Sequence, residues 1–338
     1  MNIVAARFLA ASSAAALLAA AAPASEAKCT LSRIAEWPVR PGTGYAVVDG
    51  TINGQKIGVM LDTGAGTTMF SRPEAERLGL VRRDVQGGRV IAIGGETHAE
   101  MVVVDEFAIG PLVRKNLGLL VAGEQPLRED VAVILGEDFF RQFDIEFDLP
   151  HAMIRLFQAR DCEGSPLAYW TSGGAAEVDL GVDSTAAPKI ELTVEVNGRR
   201  FLAQLDSGAY RSVLLQSAAE SVGVTPGSPG VVTAGCFRGG GEKVIETWIG
   251  PFESFRLGPE NIRDPKLYFA DLWRYSTFAE TGSRVRRGGA HADMLLGADF
   301  LRAHRVLISH SQRKMYFEYV SGTVFPTTPA PACDRTSK

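Results

Sequence analysis

Two acidic residues recur in one setting: Asp62 in Leu61-Asp-Thr-Gly-Ala65 and Asp206 in Leu205-Asp-Ser-Gly-Ala209. Each ends an apolar run, where an ionised carboxylate is rarely buried without a partner. Each is followed by a hydroxyl residue that can brace a loop and by a glycine that permits close approach. If the two segments face each other across a twofold axis, the carboxyls meet, and like charges at that range cannot both ionise. The pair then holds one proton and titrates as a unit. One member can act as base toward a water while the other, protonated, hydrogen-bonds a carbonyl under attack. Such a pair hydrolyses an amide without a metal or a covalent intermediate.

A twofold axis is expected because the chain contains itself twice. Asn53-Gly54 matches Asn197-Gly198, Asp62 matches Asp206, and Gly79 matches Gly223, all at an offset of 144 residues. Ile134-Leu-Gly-Glu-Asp-Phe-Phe-Arg141 matches Leu295-Leu-Gly-Ala-Asp-Phe-Leu-Arg302 at an offset of 161, so the second copy carries 17 extra residues, expected within 264–292. Asn-Gly between alternating apolar runs predicts a hairpin in each copy, pairing 45–52 with 56–61 and 190–196 with 199–205. A short helix follows at 71–78, where Ser71 and Glu74 have capping-box spacing and Gly79 is the stop; Ser217, Glu220 and Gly223 repeat the pattern. Strands are expected at 89–93, 100–107, 117–121 and 131–135. A last strand closes each copy, at 153–157 and 314–319. Asp138 and Asp299 are read as helix-start residues favoured by the helix dipole.

The composition agrees with a globular, β-rich chain. It has 338 residues, 46% hydrophobic and 22% charged, with 36 Gly. At roughly 100–200 residues per domain, two domains are expected. A net charge of −4 offers no basic patch for a nucleic-acid partner. Residues 1–27 read as a secretory signal: Arg7, then an Ala/Leu-rich core too short to span a bilayer, then small residues up to Ala27. The mature chain is therefore expected to be exported without stable membrane insertion, to the periplasm if the source is bacterial. In an oxidising compartment Cys29, Cys162, Cys236 and Cys333 can form disulfides by any of three pairings, of which Cys29–Cys162 with Cys236–Cys333 is preferred.

Other chemistries find little footing. The cysteines lack zinc-site spacing, and His304 and His310, expected at the surface or at strand ends, belong to no His-Glu-x-x-His motif. No Gly-x-Ser-x-Gly elbow occurs. The Gly239-Gly-Gly241 run lacks the Lys-Ser/Thr of a phosphate loop and reads as a hairpin tip, and the Arg284–Arg287 cluster reads as a solvated loop. Carboxylates on symmetry-related loops do not suggest the wider spacing of a glycosidase pair.

Taken together, the two Asp-Thr/Ser-Gly-Ala segments and the later blocks ending at Gly136 and Gly297 resemble the retropepsin-like aspartic proteases. The resemblance is to a tandem member with both lobes in one chain, on the two-lobed plan of the pepsins. It implies an all-β fold of two homologous β-barrel lobes related by a pseudo-twofold axis. The expected divisions are a signal at 1–27, lobes at 28–162 and 188–325, a linker at 163–187 and a tail at 326–338. It further implies an exported aspartic endopeptidase with Asp62 and Asp206 as the catalytic pair, Thr63 and Ser207 locking the loops, and Gly64 and Gly208 beside the substrate. No metal or other cofactor is implied; the substrate is an extended peptide, and the active unit a monomer. Family members fold hairpin flaps over the cleft. The candidates are Ile93, Gly94 and Gly95 in the first lobe and Gly235, Gly239 and Gly240 in the second. Gly66 and Tyr210 stand where the family carries a small polar or acidic residue, and neither flap candidate has a pepsin tyrosine. A silent peptide-binding module on the same fold is the alternative, though it would not need both acids.

Overall fold

The computed structural model describes residues 28–127, 130–181, 189–275 and 291–333. The expected signal at 1–27, part of the linker, the Arg284–Arg287 cluster and the end of the tail lie outside the described residues.

Each copy begins as its Asn-Gly pair dictates. Asn53 and Gly54 adopt φ of 49° and 79°, and Asn197 and Gly198 adopt 50° and 74°, the paired positive values of a tight hairpin turn. Strand Val47–Ile52 therefore pairs with Gln55–Leu61, and Glu191–Val196 with Arg199–Leu205. The second arm of each hairpin then pairs in parallel with the strand of the later repeat block, Leu61 opposite Leu135 and Leu205 opposite Leu296. In the first copy, seven strands form one sheet whose strand Val47–Ile52 pairs with both Gln55–Leu61 and Gly95–Ile109, which closes six of them into a barrel. The second copy builds a nine-stranded sheet on the same plan, its long hairpin interrupted between Val244–Pro251 and Ser254–Leu257. Fully buried phenylalanines, among them Phe70, Phe140, Phe269 and Phe300, fill the interiors.

The last strand of each copy does not close its own lobe, as the sequence suggested. Met153–Arg160 and Lys314–Tyr319 instead join a third, six-stranded sheet shared by both halves. Its middle is the antiparallel pair Asp144–Asp148 and His304–Ser309, with Ile145 opposite Ile308 and Phe147 opposite Val306. Ile145, Phe147, Val306 and Ile308 of these strands are fully buried, which stabilises the shared sheet. The Glu146 carboxylate, fully buried here, pairs with Arg155 from its own half and with Arg305 from the other at 3.1 Å. The stretch expected as linker contributes the edge strand Ala176–Asp179.

Other local expectations also shift. The helices are Arg72–Arg77 and Gln216–Ser221, and neither uses a capping box: Ser71 makes no cap bond, Glu74 pairs with Arg77, and Ser217 lies inside its helix. The central hairpin is longer than predicted, Arg83–Ala92 with Gly95–Ile109, because its solvated outer part shows no clean apolar alternation. The pairs Thr51–Ala108 and Glu195–Arg256 are equivalent, so some of the second copy's extra residues precede Arg256 and not all fall in 264–292. His304 begins a strand but is not at the surface: its ring is fully buried, stacked on Phe300, with Nε2 2.9 Å from Glu260.

Both preferred disulfides are present. Cys29–Cys162 joins the ends of the paired strands Thr30–Pro38 and Met153–Arg160. Cys236–Cys333 ties the tail to strand Val232–Arg238, where Ala330 also bridges Ala234. Among the described residues, no helix is long and apolar enough to cross a membrane.

Candidate functional site

The two Asp-Thr/Ser-Gly loops meet where the lobes adjoin, and their hydroxyls cross-link them. The Thr63 amide donates to Ser207 Oγ at 3.0 Å, and the Ser207 amide donates to Thr63 Oγ1 at 3.0 Å. Each hydroxyl in turn donates to the strand end of the opposite copy, Thr63 to Leu205 O at 2.8 Å and Ser207 to Leu61 O at 2.7 Å. Both side chains are fully buried, so all four bonds are sheltered from competing water. The four bonds lock the two loops to each other.

The lock sets the carboxyls of Asp62 and Asp206 within hydrogen-bonding reach of each other. Gly64 donates its amide to Asp62 Oδ1 at 2.8 Å, and Gly208 does the same for Asp206 at 3.0 Å. Each glycine also packs against the opposite carboxyl: a methyl at Gly208 would fall 2.3 Å from Asp62 Cγ, and one at Gly64 would fall 2.4 Å from Asp206 Cγ. Both acids are held above the ordinary carboxylate range, chiefly by burial, and Asp206 well above it because the charge of Asp62 adds to that burial. Amide donors from the loops pull the other way without reversing the sense. The arrangement can therefore keep one proton on the pair at a pH where a lone carboxyl would have lost it.

Asp138 and Asp299 lie in the first turns of short helices, as expected, but their work is to hold the loops. Asp138 Oδ1 accepts from the amide and hydroxyl of Thr68, and Asp299 accepts from the amide and hydroxyl of Ser212. Those hydroxyls accept from the amides of Gly136 and Gly297, which completes two matched braces behind the pair. Thr68 and Ser212, each six residues beyond its repeated acid, were the available signal, and their role passed unread. Burial pushes Asp299 up to about 6 despite its three donors.

The flap candidates form two hairpin tips that touch. Gly241 donates its amide to Ile93 O at 2.9 Å, and Lys243 donates to Gly94 O at 3.0 Å. Contact this close leaves no room for side chains, since a methyl on Gly239 or Gly241 would fall within 2.4 Å of the first tip's backbone. Ile93, Gly94, Gly95, Gly239 and Gly240 thus lie at or beside the tips. Gly235 does not: with φ of 76° it sits at a bulge in strand Val232–Arg238, facing Ala330.

The titrating groups make stability depend on pH in one direction. Asp62, Asp206 and Asp299 all have raised values, so the native state holds protons that the unfolded chain releases above about pH 4. For His310, burial favours the neutral ring but the Glu137 carboxylate outweighs it and raises the value, giving stability that is lost as pH climbs past that raised value. Each contribution is fully present below the unfolded-state value of its group and is lost as pH climbs through the raised one. The midpoint of thermal unfolding should fall by roughly 5 °C or more between pH 4.5 and 7.5. A midpoint that rises over that interval would contradict the assignment.

A family model described as aspartyl protease matches residues 48–139 and 192–300. A Sinorhizobium sp protein, described as uncharacterized and encoded in the cobV 5' region, is 28% identical over 103 residues, covering 30% of this chain and 43% of that one. The match thus spans under half the length of that relative. The crystal structure of an aspartic proteinase from Irpex lacteus aligns over 86% of this chain and 98% of its own, with a TM-score of 0.50 and 11% identity. That of a retropepsin-like aspartic protease from Rickettsia conorii covers 39% of this chain and 94% of its own, with a TM-score of 0.27 and 20% identity.

Proposed function

The chain belongs to the aspartyl protease family as a tandem, two-lobed member, and from that premise we propose that it is an exported aspartic endopeptidase using Asp62 and Asp206 as its catalytic pair. One observation carries the reading. Two repeated loops, locked by Thr63 and Ser207, hold two buried carboxyls within hydrogen-bonding reach of each other. A binding module gains nothing from so costly a pairing of buried acids.

The chemistry follows from the shared proton. The ionised member takes a proton from a water seated between the carboxyls, and the water oxygen attacks the scissile carbonyl carbon. The protonated member hydrogen-bonds the carbonyl oxygen as charge develops on it. Collapse of the tetrahedral species expels the amine, which leaves with a proton from the pair. The substrate lies extended across the cleft and pairs with flap backbone as an added strand. Because both acids come from one chain, the active unit is a monomer. The two disulfides support an oxidising compartment, and hence export.

The test is incubation of the mature protein with a diverse peptide mixture from about pH 3.5 to 7.5, a range chosen to span a bell-shaped profile, read by mass spectrometry. Cleavage should pass through a maximum, because exactly one proton is required on the pair. A rate that climbs steadily into alkaline pH would assign the reaction to other groups.

A further inference from the structure

Beside the catalytic pair lies a cleft of about 380 Å³, lined chiefly by the second copy, that reaches from Gly208 to the flap strand Val232–Arg238. Two charged residues line it, Arg211 and Arg238, and no carboxylate does. The rest of the wall is largely aromatic, with Tyr45, Tyr210, Phe237 and Tyr268. Resting on the endopeptidase reading, we propose that this cleft is a subsite selecting an acidic side chain of the peptide substrate, with Arg211 and Arg238 as its carboxylate-binding residues.

Three observations support the assignment. First, the cations are uncommitted: among the described residues, neither arginine makes an ion pair. The Arg211 guanidinium lies 4.6 Å from the Tyr268 ring centre and 5.8 Å from that of Tyr210, so it is positioned by ring faces that leave its donors unused. The neighbouring Arg302 differs. It is occupied by the carbonyls of Gly44 at 2.7 Å and Tyr210 at 3.2 Å, and its stacking over Tyr210 at 4.5 Å fixes the ring that forms one wall.

Second, the walls are anchored from behind. The Tyr268 hydroxyl accepts the amide of Thr328 at 2.8 Å. Cys236, two residues from Arg238, is joined to Cys333. The same tail segment thus backs both arginines, and a site whose groups are already placed loses little freedom on binding.

Third, the charge is asymmetric where the fold is not. The repeat equates Tyr210 and Arg211 with Gly66 and Thr67, so the first copy offers neither ring nor cation at the matching place. A pseudo-symmetric cleft with cations at one end alone distinguishes the two sides of the scissile bond. An arginine also suits a carboxylate better than a lysine would, since its planar fork can donate two parallel bonds.

The experiment uses fluorescent peptide libraries identical except for Glu or Gln fixed at each position in turn around the cut. Glu and Gln match in shape, so their ratio reads charge. The wild type should cleave the Glu library at least tenfold faster in kcat/KM at one position on one side of the bond. Arg211→Gln with Arg238→Gln should bring that ratio near one, with circular dichroism confirming the fold. Equal cleavage of the two libraries at every position, or a preference that survives in the double variant, would overturn the subsite. Binding of the same libraries to Asp62→Asn, read by fluorescence anisotropy, tests the subsite without any bond being cut. Charge-selective binding there with no cleavage by the wild type would sink the endopeptidase reading and leave the subsite standing.

Discussion

Asp62→Asn and Asp206→Asn should each lower peptide cleavage at least a thousandfold while leaving a protein as stable as the wild type at pH 7, or more so. Each carboxyl has a distinct duty at any instant, base or proton donor, and an amide performs neither. Groups that act as one unit do not lose activity additively, so the double variant should be little worse than either single one. The stability half follows from the raised values of both acids. Two crowded carboxyls cost the native state free energy as pH rises, and a neutral amide removes that cost while its oxygen can still accept the Gly64 or Gly208 amide. Turnover by the purified variants and their thermal unfolding at pH 7 decide the matter together. Activity within tenfold of wild type in either single variant would dissolve the shared pair.

A second large effect should come from one methyl group. Gly208→Ala, or equally Gly64→Ala, should reduce kcat by a hundredfold or more. Neither glycine adopts a positive φ, so backbone conformation is not what demands it. Space is. The added carbon would meet Asp62 Cγ at 2.3 Å in the first case and Asp206 Cγ at 2.4 Å in the second. No pair of carbons tolerates that distance, and the carboxyl must turn away from its partner; displacement of a reacting group by about 1 Å costs on the order of 100-fold. Gly227→Ala is the matched control, since its nearest neighbour is Thr225 Oγ1 at 4.0 Å. Single-turnover rates for the three variants would show the effect, and a Gly208→Ala enzyme as fast as the control would refute it.

What the chain discloses by its letters is what depends on neighbours in sequence or on repetition. Asn53-Gly54 announces its hairpin because two successive positive φ values suit few other residues. Asp62 and Asp206 stand out because each recurs in the same five-residue setting, and duplication supplies the axis that brings them together. The shared six-stranded sheet could not be read this way. Met153–Arg160 looks alike whether it closes a lobe or joins one, and only distant partners decide. The capping boxes failed for a related reason: Ser71 is buried by tertiary packing and forms no cap bond, whatever its spacing from Glu74. Tyr210-Arg211 stands out in the sequence only as a pair beside the second aspartate, able to narrow the cleft or contact substrate; the seat of Arg211 over Tyr268, remote in sequence and adjacent in space, is not legible there.

The shared sheet also sets when the molecule comes into being. Its central strands contribute Glu146 and Arg305, which pair although they stand 159 residues apart along the chain. A chain emerging from the ribosome therefore completes its first lobe with the edge of Asp144–Asp148 still open, and that edge waits for His304–Ser309. Contacts of such long range close slowly, and an unpaired strand edge is adhesive until they do. Asp206 too reaches Asp62 only when both halves exist. The paired site thus assembles late and all at once, after nearly the whole chain has been made, and a truncated nascent product has no half-strength version of it.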